Sequence, residues 1–183
     1  ILKKGGYKLV DNILFDSEGN EIKFEILLLN PAFERIVSPF IKNLEKLGVK
    51  ASIRIVDTAQ YKNRIDNFDF DMIVMARGQS LTPGNEQKNY WSSESADIAG
   101  SLNWIGIKNP IVDELINLLI NAQDRDTLKA YTKALDRVLL NQHYVIPHWH
   151  IKMWRLAYWN NIKRPKTLPK YNLGFPEIWW NNK

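Results

Sequence analysis

Cysteine is absent from the 183 residues. That excludes disulfide frameworks, thiolate metal sites and cysteine nucleophiles, and it leaves the compartment open. No apolar run approaches the roughly 20 residues that a membrane-spanning helix needs. The start has no Met and no basic–apolar–small pattern of a secretory signal. A phosphate-cradling G-x-x-x-x-G-K-[ST], a dinucleotide G-x-G-x-x-G and a G-x-S-x-G elbow are all missing, so nucleotide chemistry and serine hydrolysis lack support. Acidic residues are missing from one long interval. None lies between Asp136 and Glu177, where Lys152, Arg155, Lys163, Arg164, Lys166 and Lys170 fall. Nucleic acid or anionic lipid would suit such a stretch; a solvated surface suits a net charge of only +5 better.

What is present describes a globular chain. With 45% hydrophobic and 25% charged residues, the length suits one domain with a sizeable core. The opening Ile1-Leu2-Lys3-Lys4-Gly5-Gly6 reads as a helix end with its glycine stop. The expectation is therefore a piece of a longer polypeptide, any targeting signal lying upstream. Residues 7–29 predict a β-hairpin around Asp16-Ser17-Glu18-Gly19-Asn20, its second segment apolar on both faces near Leu29 as in a covered central strand. Asn30 and Pro31 open an amphipathic helix carrying Phe33, Ile36, Val37, Phe40, Ile41 and Leu44, which Gly48 ends. Val49 to Val56 alternates as a strand, Asp57 or Thr58 caps a short helix, and Phe70 to Ala76 is a third strand. Crossovers of this length force parallel pairing and an α/β sheet flanked by helices. Two further helices start at Asn109-Pro110 and at Asp124. From His143 the pattern loses helical periodicity, and five of the seven tryptophans lie there (Trp149, Trp154, Trp159, Trp179 and Trp180). So many large aromatics imply burial against something. The division expected is a lobe over 1–150 and a tail over 151–183.

Candidate chemistry concentrates in Phe68 to Gln87, FDFDMIVMARGQSLTPGNEQ. A polar loop at the carboxyl end of a strand is where α/β sheets meet ligands. Arg77, Gln79, Ser80, Thr82 and Asn85 suit binding, and no catalytic pair stands among them. Arg77 can fork onto a ligand carboxylate or form a salt bridge with Glu86 or Asp71; both stay open. Trp91 and Trp104, in the long connection from Ser80 to Lys108, can wall an apolar site. Asp69 and Asp71 share a strand face without a clear role. His148 and His150 would face one way on a strand, with His143 nearby, and a zinc site would still lack a third ligand.

These residues carry a resemblance. Phe33-Glu34-Arg35-Ile36 with Pro39-Phe40, Phe68-Asp69-Phe70-Asp71-Met72-Ile73, and above all the run from Gly78 to Gln87 (GQSLTPGNEQ) resemble the extracellular solute-binding proteins, family 5, of peptide ABC transporters, in their YejA-like branch. Leu135 to Leu140, His143 to Pro147 and Ala157-Tyr158-Trp159 extend the likeness over nearly the whole chain. It implies one lobe of a two-lobed periplasmic binding protein of the type II, peptide-binding class, with a mixed sheet flanked by helices. It implies a periplasmic or membrane-associated extracellular binder, neither enzyme nor cofactor protein, that delivers oligopeptides to a membrane permease. The missing amino-terminal lobe would be the partner of the aromatic tail. The ligand-binding residues it suggests are Arg77, Gly78, Gln79, Ser80, Leu81, Asn85, Trp91 and Trp104. One departure stands out. Relatives of the di- and oligopeptide type carry a Trp after this strand and, three residues on, an Asp for the peptide ammonium; here Arg77 and Ser80 stand there. The rival expectations are a basic aromatic nucleic-acid module and a His-site metallohydrolase.

Overall fold

The computed structural model describes residues 1–151 and 153–182; Lys152 of the basic interval and Lys183 lie outside them. The chain divides into two compact units, Ile1–Val145 and Ile146–Lys183.

In the first unit a short 3₁₀ turn, Leu2–Gly5, is stopped by Gly6 at φ 83°, a left-handed geometry that glycine takes without a Cβ penalty. Strands β1 (Lys8–Val10) and β2 (Ile13–Phe15) then pair antiparallel. Here the structure corrects the expected 7–29 hairpin. The tight turn is Asp11-Asn12, with φ of 48° and 63°, two residue types that tolerate the left-handed region hairpin turns require. The Asp16–Asn20 segment is a turn as well, its Asp16 carboxylate accepting the backbone N–H groups of Glu18 and Asn20. Past it, pairing is limited to one bridge between Phe15 and Glu21. The chain continues instead into β3 (Lys23–Leu28), the centre of a parallel sheet ordered β4-β3-β5.

Asn30 caps a 3₁₀ turn that leads into α1 (Glu34–Glu45). Strand β4 (Lys50–Ile55) follows, then α2 (Thr58–Asp66), capped by the Asp57 carboxylate on the Gln60 N–H, and β5 (Met72–Ile73). Gly48, between α1 and β4, sits at φ 82°, and a Cβ there would meet the Leu9 side chain and come within 2.8 Å of the Leu14 nitrogen. The expected strand from Phe70 to Ala76 is reduced to two residues for a long-range reason. At its start the Asp71 carboxylate, not a ladder carbonyl, takes the Glu25 N–H at 2.8 Å. At its end β3 stops at Leu28, one residue past the Leu27–Ile73 pair, so the sheet offers no partner strand to Met75 and Ala76. Asp69 is equally structural, accepting from Arg64 Nε at 3.0 Å. Ile26, Leu28 and Val37 form the core between sheet and α1, with Phe33, Phe40 and Met72 packed on it.

The connection that follows contains helix α3 (Glu86–Trp91) and a 3₁₀ turn at Ser93–Ser95. Helices α4 (Pro110–Ile120) and α5 (Arg125–Asn141) pack around a second core of Ile107, Val112, Ile116, Leu119 and Leu135. Asn109 caps α4. Asp113 accepts both the N–H and the hydroxyl of Ser93, at 2.8 and 2.6 Å, and ties α4 to the connection. Asp124 caps α5 through the N–H groups of Asp126 and Thr127. The Thr127 hydroxyl and then its N–H hold the Asp124 carboxyl below its usual range. A depressed folded-state pKa contributes stability above the unfolded value near 3.9, lost as pH falls through the folded one. Asp124→Ala should therefore lower the melting temperature at pH 7, and the gap from the parent should narrow as pH falls below the ordinary carboxylate range. A gap that persists in acid would refute the assignment.

In the second unit β6 (Ile162–Lys163) and β7 (Trp180–Asn181) form a short antiparallel ribbon. Trp179 is its small hub: Tyr158 and Phe175 meet its ring edge-on at 5.0 and 5.6 Å, and its indole N–H donates to the Leu173 carbonyl at 2.8 Å. Trp149, Ile151, Trp154 and Trp159 are largely exposed. His148-Trp149-His150 is not part of a strand, so the one-sided placement of the two imidazoles does not arise from one; the His148 ring stacks on Trp149 at 5.3 Å.

Candidate ligand-binding groove

A groove of about 620 Å³ opens between the loop leaving β5 and helix α5. Leu119, Leu128, Leu135 and Leu139 supply its apolar floor, and Arg77, Gln79, Ser80, Leu81 and Trp91 line the opposite side. Its size is that of a small-molecule or short-peptide site. Five of the eight residues singled out in the sequence thus meet at one surface. Gly78 and Asn85 are exposed outside it, Asn85 standing at the start of α3 without a side-chain cap bond. Trp104 lies behind Arg77, not on the groove wall.

Of the two readings left open by the sequence, the salt bridge of Arg77 to Glu86 or Asp71 does not form. Asp71 is spent on the Glu25 N–H, and Glu86 accepts from the Gly84 N–H and from Gln87. The guanidinium lies instead among three rings, its carbon 4.2 Å from the Tyr90 centroid, 4.6 Å from Trp91 and 5.5 Å from Trp104. Nη2 donates to the Leu102 carbonyl at 2.7 Å, while Nη1 is covered and has no hydrogen-bond partner. Burial lowers the Arg77 pKa, with a smaller opposing effect from Tyr90. A planar cation held between aromatic faces is a geometry that Arg forms and Lys does not reproduce. Arg77 therefore brings an uncompensated positive charge to the groove wall.

Two buried amides hold this wall in place; Gln87 ends the run that carries the resemblance but was not singled out as a site residue, and Asn103 had no signal in the sequence. Gln87 is 4% exposed. Its Nε2 donates to Gln79 Oε1 at 2.8 Å, and its Oε1 accepts from the Trp91 indole N–H at 3.0 Å, so one side chain links the loop to α3. Asn103 is 1% exposed; its Nδ2 donates to the carbonyls of Ser92 and Ile107, and its Oδ1 accepts the Ile107 N–H. That fixes the segment bearing Leu102 and Trp104, two of the groups that grip Arg77. Ser80 is less free than its position suggests, because its hydroxyl accepts the Thr82 N–H at 3.1 Å. The contribution of α5 was also invisible in the sequence, where its inward leucines read only as core.

Comparison with known proteins places this geometry. The family of bacterial extracellular solute-binding proteins, family 5 Middle, matches residues 1–98. The chain is 50% identical over 182 residues to the uncharacterized protein y4wM of Sinorhizobium fredii, covering 99% of this chain and 28% of that protein. It is 44% identical over 184 residues to the "Probable peptide-binding protein YejA" of Agrobacterium fabrum, covering 100% of this chain and 30% of that one. Among solved structures it resembles the oligopeptide-binding protein AppA of Bacillus subtilis in complex with a nonapeptide. The TM-score is 0.75 at 23% identity, over 100% of this chain and 36% of AppA; at that identity the likeness shows the fold alone. The chain belongs to the bacterial extracellular solute-binding proteins, family 5. It spans less than a third of the length of these two curated relatives, and its α/β architecture is that of part of a periplasmic binding protein. Among the described residues no helix is long and apolar enough to cross a membrane.

Proposed function

We propose that this chain contributes one lobe to a periplasmic protein that captures oligopeptides and hands them to the permease of an ABC importer. The observation that carries the reading is the groove itself: an apolar floor faced by a polar loop at the carboxyl end of a parallel sheet. An extended peptide presents alternating side chains and backbone amides, and this wall answers with apolar pockets and side-chain amide and hydroxyl groups. Gln79, Ser80 and Leu81 would meet the peptide directly and Trp91 would wall its side chains. Gly78 and Asn85 would join only through movement of the loop, and Trp104 acts through Arg77. With Ser80 where better-known relatives carry an Asp, a peptide ammonium finds no carboxylate at that position. The exposed aromatics of residues 146–182 are proposed to pack against another lobe of the protein, and the groove to close by hinge motion against it. The reading requires neither cofactor nor catalysis.

Native mass spectrometry of the protein purified from its own host tests this. Peptides should co-purify and exchange with added peptide. A sugar or a metal chelate in their place would overturn the peptide reading, and bound oligonucleotide lost steeply with salt would favour the nucleic-acid alternative.

A further inference from the structure

Arg125, Lys129 and Lys133 line the groove from α5. They are spaced four apart, so they form a single stripe on one helix face, where like charges at that spacing destabilise the helix. The stripe also begins in the first turn, at the positive end of the helix dipole, where cations are disfavoured. Arg77 faces them from the opposite wall, and among the described residues Asp136 is the one carboxylate lining the groove. Little within the protein answers this charge. Lys129 reaches Asp126 at 3.0 Å, yet the Asp126 side chain is 91% exposed and the pair is correspondingly weak. Arg125 donates to the neutral Thr82 hydroxyl at 3.2 Å. Among the described residues Arg77, Arg125 and Lys133 have no carboxylate within ion-pair distance.

Arg77 is half-buried without a counter-ion, which is costly, whereas Arg125, Lys129 and Lys133 are exposed and hydrated; a groove wall of low polarity strengthens the hold of all four on an anion that arrives between them. The surface around the cations is apolar, which excludes a purely hydrophilic anion as the best fit. We infer that the groove selects anionic peptides, apolar in their other side chains, by setting a ligand carboxylate between Arg77 and the Arg125–Lys129–Lys133 stripe. This rests on the peptide reading above and narrows it to a charge class. The carboxylate is either an acidic side chain or the peptide's own carboxyl terminus, and the chemistry of recognition is the same for both.

The test is calorimetric titration of the whole native protein with an apolar hexapeptide bearing two glutamates. Its partner carries glutamines at those positions, and each is prepared as the free acid and as the carboxyl-terminal amide. At about 50 mM salt the fully neutral form should bind about tenfold more weakly than the fully acidic one. That ratio should shrink at about 500 mM salt, where the Debye length is a few ångströms. Loss on amidation assigns the carboxylate to the chain end, and loss on the glutamine exchange assigns it to side chains; either supports the inference. In the triple variant Arg125→Gln/Lys129→Gln/Lys133→Gln the ratio should fall to near one. Circular dichroism of the variant checks that α5 is retained, since these side chains are at the groove surface. Equal affinity for acidic and neutral peptides, or a ratio that survives in the triple variant, overturns the charge selection and leaves peptide binding standing. Failure of every peptide to bind overturns both.

Discussion

Replacing Asn103 with leucine is expected to lower the unfolding free energy by about 3 kcal/mol. The side chain is almost wholly buried and makes three hydrogen bonds, to Ser92 O, Ile107 O and Ile107 N. Leucine fills a similar volume yet leaves the Ile107 N–H and carbonyl without water or partner, each worth about 1–3 kcal/mol when orphaned, while the Ser92 carbonyl keeps the Ser95 N–H and hydroxyl. Part of that is offset by the apolar surface it buries. Asn103→Asp should be worse still. It keeps the acceptor for the Ile107 N–H, but it loses both donors and sets a carboxylate against two carbonyl oxygens. Urea unfolding should therefore rank the parent above the leucine variant and that above the aspartate variant. A loss below about 1 kcal/mol for leucine would mean that the segment around Trp104 is not held by this amide. The same variants should also disturb the Arg77 cage, because Leu102 and Trp104 flank the substituted residue and both touch the guanidinium. Tryptophan fluorescence in the folded baseline would report that change before any unfolding.

The elements that were legible in the sequence are those specified by neighbouring residues. Asn30-Pro31, Asp57, Asn109-Pro110 and Asp124 each announce a helix because the cap and the first turn are adjacent in the chain. β3 and β4 were legible from their apolar patterns, and the parallel order followed from crossover length. Errors came where two local signals competed or a distant residue decided. Asp11-Asn12 and Asp16–Asn20 are both good turn sequences, and only the docking of β2 against Gly48, through the Leu14 N–H to its carbonyl at 2.8 Å, shows which one closes a hairpin. β5 is short because of Asp71 and Glu25, 46 positions apart. The site divides the same way. A polar loop after a strand can be read from the chain, and Arg77 within it. The rings that surround Arg77 lie on α3 and beyond, and the cations that face it lie on α5, so nothing in sequence order places them together. Charge sums over the chain concealed this too: the basic interval after Asp136 drew attention to the tail, whereas the cations gathered in the groove belong to residues 77–133.

Replacing Gln87 with leucine is expected to weaken peptide affinity about ten- to a hundredfold, against a loss of only about 1 kcal/mol in stability. The asymmetry follows from where its bonds go. Gln87 joins two groove-lining side chains, Gln79 on the loop and Trp91 on α3. The groove opens to solvent at its margin, so a released Trp91 N–H or Gln79 amide can find water instead of remaining orphaned. Global stability then depends little on the link. Binding depends on it more, because a loop no longer held must be ordered by the ligand at a cost of about 0.5–1.5 kcal/mol for each immobilised side chain. Gln87→Glu separates the two halves of the link. A carboxylate still accepts from the Trp91 indole but cannot donate to Gln79 or to its neighbour Glu86, and it adds a negative charge beside the wall. Its affinity should fall for acidic peptides more than for neutral ones, whereas Gln87→Leu should weaken both alike. Isothermal titration with the acidic and neutral peptides, alongside urea unfolding, distinguishes these patterns. Undiminished peptide affinity in Gln87→Leu would show that the ordered loop from Arg77 to Gln87 is not the surface that grips the ligand, whatever the charge of the groove.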